Sequence, residues 1–177
     1  MTGVGRGRAA AAAALALALA GGCSGLATLP PGPPAPVRDA WPGCVAVGAF
    51  VGDNFTGPPR SEVGAVPATF VAQRAVLCDT DVRPDEQGGS VSTDRERTST
   101  QIGPLLTYLA RPSEKPTDGP CLTIAIGRPW LFLLDGTGRH VAPVIPTDAC
   151  GLPLDWQHDP SAWEAVPYAD RVVGRGR

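Results

Sequence analysis

Lysine and asparagine are nearly absent from this chain. Lys115 and Asn54 are the sole examples in 177 residues, and charged side chains make up only 18%. With Arg6 and Arg8 set aside, 13 basic side chains face 17 acidic ones. No cluster of Lys and Arg forms, which argues against binding a nucleic-acid backbone or a polybasic attachment to anionic lipid. Histidine is equally scarce. His140 and His158, even with Asp155 or Asp159 added, match no zinc-ligand spacing. His140 alternates with Val141 and is expected as a surface ring on a hairpin. No serine occupies a Gly-x-Ser-x-Gly elbow. Gly136-Thr137-Gly138 lacks the following Lys and helix of a phosphate loop. Paired carboxylates such as Asp79 and Asp81 fall in an expected turn, where solvation accounts for them. No internal repeat is present. These absences leave no nucleophile–base constellation, so the chain is expected to be non-enzymatic, with no catalytic residues, no cofactor and no metal.

What the chain does have is an N-terminal address. Arg6 and Arg8 precede an unbroken apolar stretch from Ala9 to Ala20, followed by Gly21, Gly22 and Cys23. A positive n-region, a short apolar run and small residues at a cleavage point describe a secretory signal. The run is too short to span a bilayer. Leu19-Ala20-Gly21-Gly22-Cys23 resembles the lipobox of bacterial lipoproteins. That resemblance implies a diacylated Cys23 as mature N-terminus and a domain held at the outer face of the cytoplasmic membrane. Ordinary cleavage after Ala18-Leu19-Ala20 is the alternative. Cysteine number separates the two. Of Cys23, Cys44, Cys78, Cys121 and Cys150, lipidation of Cys23 leaves an even four, whereas the alternative leaves an unpaired thiol in an oxidising compartment.

The organisation expected is a signal peptide over 1–22, lipidated Cys23 and a Pro-rich tether over 23–36, one domain over 37–170, and a flexible tail over 171–177. Pro30-Pro31-Gly32-Pro33-Pro34-Ala35-Pro36 forms neither helix nor sheet on its own and reads as extended stalk or unstructured leader. The domain carries most of the 22 Gly and 20 Pro, as loop-rich disulfide-stapled domains do. Cys44-Val45-Ala46-Val47 and Thr69–Cys78 read as strands, and Asp79–Gly89 as a turn region. Ser92–Thr98 alternates charges with no apolar residue and reads as a solvated edge strand or a loop. In Thr100–Arg111, Ile102, Leu105, Leu106 and Leu109 form the apolar stripe of a helix. Ser99 or Thr100 can cap that helix, Pro104 is tolerated in its first turn, and Pro112 ends it. Cys121–Ile126 and Trp130–Leu134 read as strands. Asp135-Gly136 marks a hairpin returning through Arg139–Ile145. Asp159-Pro160 starts a short helix. The fold class that follows is α+β, a small antiparallel sheet packed on one main helix, with two disulfides.

Four domain cysteines allow three connectivities. Pairing Cys44 with Cys78 and Cys121 with Cys150 encloses one strand-rich half each, and is preferred on that ground. Trp130 sits in an apolar strand and reads as core. Trp41, Trp156 and Trp163 are either core or a stacking surface, and none is assigned as a site.

The Leu105–Leu109 helix, Cys121, Asp135-Gly136 and the segment Pro146-Thr147-Asp148-Ala149-Cys150-Gly151-Leu152-Pro153 resemble a pattern found in uncharacterised actinobacterial lipoproteins. That likeness implies secretion and a disulfide, and carries no activity. The order of helix, cysteine, strand, Asp-Gly turn, strand and cysteine is also similar to the Streptomyces subtilisin-inhibitor family, whose inhibitory loop would fall at Cys121-Leu122-Thr123-Ile124-Ala125-Ile126. The expected function is a non-enzymatic binding or interaction module attached to the membrane through its lipid anchor, with a protein or cell-wall ligand as partner and no nucleic acid. A protease inhibitor is the alternative.

Overall fold

The computed structural model describes residues 29–49, 58–121, 130–154 and 166–176. These contain β1 (Arg38–Ala40), a single 3-10 turn (Arg60–Glu62), β2 (Val63–Gly64), β3 (Arg74–Pro84), β4 (Ser90–Ser99), α1 (Gly103–Leu109), β5 (Trp130–Leu134), β6 (Arg139–Pro143) and β7 (Ala169–Gly176). The strands form one seven-stranded sheet in the order β1-β6-β5-β3-β4-β7, and β2 also pairs with β6. Every pairing is antiparallel except β2 with β6.

The centre of the sheet is covered on both faces. Ala75 and Leu77 of β3, Leu131 and Leu133 of β5 and Val141 of β6 point to one side, where Ile102, Leu105 and Tyr108 meet them. Val76, Cys78, Phe132, Leu134 and Ala142 point to the other, against Cys44 and Ala49. Strands buried on both faces read as continuous apolar runs, which is why neither face of Thr69–Cys78 looks polar in the sequence. Beyond Cys78 the β3–β4 pairing continues to Pro84↔Ser90, past the end of β5.

Among the described residues the protein is mostly sheet, and α1 covers only part of one face of it. In the described residues the one α-helix is seven residues long, against an expected Thr100–Arg111. Ser99 remains in β4, paired with Ala75. Its hydroxyl accepts from Gln101 N at 3.1 Å instead of capping the helix, whose N-cap is Ile102. Pro104 lies in the first turn as expected.

Other expectations are corrected as well. Cys44–Val47 is a tight turn, not a strand. Ala46 and Val47 amides both donate back to the Gly43 carbonyl, and Gly43 and Gly48 have φ of 96° and 64°. Strand β3 starts at Arg74 and runs through residues 79–84, so the turn shrinks to 85–89. There the Asp85 carboxylate accepts from the amides of Gln87 and Gly89. The charged segment Ser92–Thr98 is no edge strand, because β3 and β7 flank it. Its charges are cross-strand partners: Arg95 with Asp81 at 2.7 Å, Arg97 with Asp170 at 2.9 Å and Arg171 with Glu96 at 2.6 Å. Residues 171–176 belong to β7 rather than to a flexible tail.

The two disulfides are Cys44–Cys78 and Cys121–Cys150. The first ties the 43–49 turn to the sheet. Cys78 lies opposite Glu96 in the register, and the buried Glu96 carboxylate accepts from Cys44 N at 3.0 Å. In the second, Asp148 Oδ1 accepts from Cys150 N and Leu152 N, and Gly151 adopts φ 77°. The Pro-x-Asp-x-Cys-Gly-x-Pro segment is thus a turn that presents a disulfide cysteine.

Candidate functional site

The segment expected as a tether is laid onto the domain from Leu29 onward. Leu29 N donates to Ser113 O at 2.8 Å. Ala35 N donates to Ala65 O and Ala65 N to Pro33 O, at 2.8 and 2.9 Å. Pro34 bridges Ala65 in parallel, and Ala35 is buried. A proline-rich stretch supplies few amides of its own, so it is held through its carbonyls and the occasional non-proline N–H. Gly64 permits the crossing. A Cβ there would stand 2.5 Å from Pro33 O and 2.6 Å from Ala35 N.

This crossing encloses a cleft of about 850 Å³. Its walls are the 29–33 segment, the stretch 63–72 that runs from β2 toward β3, the C-terminal half of α1 with residues 110–113, and Val144 with Pro146. Helix α1 serves both the core and the cleft. Leu105 and Tyr108 are buried against the sheet, whereas Leu106 and Leu109, one step round the helix, are half-buried and line the cleft. The volume lies within the range of small-molecule sites, which are mainly apolar with few polar groups. Among the lining side chains only Arg111 and Ser113 carry a charge or a hydroxyl. The Ser113 hydroxyl accepts from Thr147 N at 3.1 Å.

A second, much smaller cavity of about 110 Å³ lies on the Cys44–Cys78 face of the sheet, beside His140, Phe132 and the Arg38–Glu62 ion pair of 2.7 Å. His140 is not a surface ring. It is buried, its centroid 5.1 Å from that of Trp41, and its Nδ1 donates to Asp39 O at 2.9 Å. Trp41 Nε1 and Tyr168 Oη are enclosed without a hydrogen-bond partner among the described residues. Burial pushes the Tyr168 phenol up to about 12, against the opposing pull of Arg97, whose guanidinium lies 5.2 Å from the ring centroid.

Cys23 lies outside the described residues, as do His158, Asp155, Asp159, Trp156, Trp163 and the 122–126 stretch. Apart from Cys121, the expected strand over 121–126 falls there too, as does the helix from Asp159. Trp130 is half-buried and packs on the Cys44–Cys78 side of the sheet. Asp79 and Asp81 form no isolated carboxylate pair. Asp81 meets Arg83 and Arg95 at 2.7 Å each, and Asp79 lies 3.9 Å from Arg97. Among the described residues no three His, Cys, Asp or Glu side chains gather as a metal site, and no helix is long and apolar enough to cross a membrane.

The order of residues does not by itself reveal the cleft. Its lining comes from four separated stretches of chain, and the one signal pointing to it is the proline run, which reads equally well as a linker. Comparison of the chain with protein-family models, curated proteins and solved structures finds no match.

Proposed function

We propose that this chain is an exported lipoprotein, held at the outer face of the cytoplasmic membrane through Cys23, whose domain is a non-enzymatic binding module. The observation that carries the binding role is the cleft of about 850 Å³ between the 29–33 segment, α1 and the residues following β2. Monomeric domains rarely keep a large concave apolar surface without using it. The address rests on the charged n-region, the apolar run and the small residues before Cys23, together with the even number of cysteines left for the two disulfides. The protease-inhibitor alternative places its loop at 121–126, and nothing among the described residues favours it.

The uncharged fluorophore N-phenyl-1-naphthylamine tests the cleft. The purified chain, disulfides intact, should bind it saturably with enhanced emission. Ala110 is exposed at the end of α1 and lines the cleft, so Ala110→Trp should block binding while leaving thermal unfolding nearly unchanged. No saturable binding by the parent chain, or equal binding by the variant, would refute the cleft as the site.

A further inference from the structure

Resting on the cleft as the binding site, we infer that its ligand is a long hydrocarbon chain, such as the alkyl part of a lipid, and not a peptide. The inference comes from the hydrogen-bond donors of the walls. Six of the 21 lining residues are prolines, which have no N–H. Many of the other amides are engaged within the protein. Ala65 donates to Pro33 O, Phe70 to Pro67 O, Ala110 to Leu106 O and Val144 to Gly64 O, at 2.8–3.1 Å.

An extended peptide laid against such walls has little ladder to join. Strand addition draws affinity from main-chain hydrogen bonds at an open sheet edge, and β2 is already flanked by β6 on one side and by the Pro33–Ala35 crossing on the other. A bound peptide would therefore bury backbone carbonyls with few donors to meet them, which is unfavourable for each of them. A hydrocarbon has no polar group to desolvate. Each methylene moved from water into the cleft strengthens binding by about fourfold, the ratio that corresponds to about 0.8 kcal/mol. Leu106, Leu109 and Phe70 supply the apolar contact.

Displacement of bound N-phenyl-1-naphthylamine by 1-octanol, 1-decanol and 1-dodecanol, each below its solubility limit, reads this directly. Competition should strengthen about tenfold or more for every two carbons added, and Ala68→Trp, at an exposed position in the lining, should flatten the series. An extended peptide of apolar and proline residues should compete far more weakly than 1-dodecanol. Displacement independent of chain length, or stronger displacement by the peptide, overturns the hydrocarbon assignment while leaving the cleft as a binding site. Failure of the fluorophore itself to bind removes both.

Discussion

Asp135 closes the β5–β6 hairpin by accepting from the Thr137 amide and hydroxyl and the Arg139 amide through one oxygen, and from the Arg139 guanidinium through the other. Burial opposes ionisation, but these hydrogen bonds outweigh it and hold the carboxyl at about 2, below its ordinary 3.8. The sign follows from linkage. Asp135 stabilises the fold at pH above about 4, where it is ionised in both the folded and the unfolded chain. As pH falls, the unfolded chain protonates first, and the contribution is gone once pH has passed through about 2. Asp135→Asn should therefore lower the urea midpoint at pH 5 and converge with the parent near pH 2. A difference that stayed constant with pH would mean the carboxylate charge is not what matters. The same hairpin shows a limit of residue-level reading. Asp135-Gly136 does mark the turn, yet the left-handed position belongs to Gly138, at φ 86°.

At the scale of the element, α1 shows how a stripe divides between two tasks. Period alone groups Ile102, Leu105, Leu106 and Leu109 as one buried face. In the fold Leu105 is fully enclosed with Tyr108, whose hydroxyl donates to Leu154 O at 3.2 Å, while Leu106 and Leu109 are half-buried in the cleft wall. Leu105→Ala should accordingly cost about 2–5 kcal/mol of stability, the range for a buried leucine. Leu106→Ala should cost about half as much or less, and should weaken fluorophore binding instead. Thermal unfolding with disulfides intact compares them, and equal losses would contradict the division. Strand β4 makes a related point. Its alternating charges look solvent-facing until β3 and β7 are placed beside it. Then Arg95 and Arg97 have carboxylates across each strand pair, and Glu96 is buried under the Cys44 turn.

For the molecule as a whole, the disulfides and the proline segment hold distant parts of the chain together. Cys44–Cys78 and Cys121–Cys150 close separations of 34 and 29 residues. In the chain-entropy model each contributes about 3.5–4 kcal/mol, less any strain in the fold. The proposed anchor acts at this scale as well. Two acyl chains hold a protein at a membrane where one does not. Cys23→Ser should abolish the added acyl mass and either leave uncleaved precursor or release the protein from the membrane. Intact-mass measurement checks this, and a parent chain that matures at Gly21 without acyl mass would eliminate the lipoprotein assignment.

Much of this architecture is local and could be read from residues in order. The Trp130–Leu134 strand, its Asp-Gly hairpin and the presence of α1 with Pro104 in its first turn depend on neighbours close in sequence, and the cysteine pairing follows the order of the cysteines along the chain. The rest depends on what comes together in space. Residues 171–176 carry no strand signal strong enough to stand alone and become β7 because β4 offers them a ladder. His140 alternates like a surface residue and is buried because Trp41 closes over it. The proline run reads as a spacer, since prolines cannot form regular structure by themselves. It becomes a wall because Gly64, some thirty residues away, lacks the Cβ that would keep it off. A cleft built from stretches so far apart has no sequence signature, since none of them encloses a volume until the sheet has brought them together.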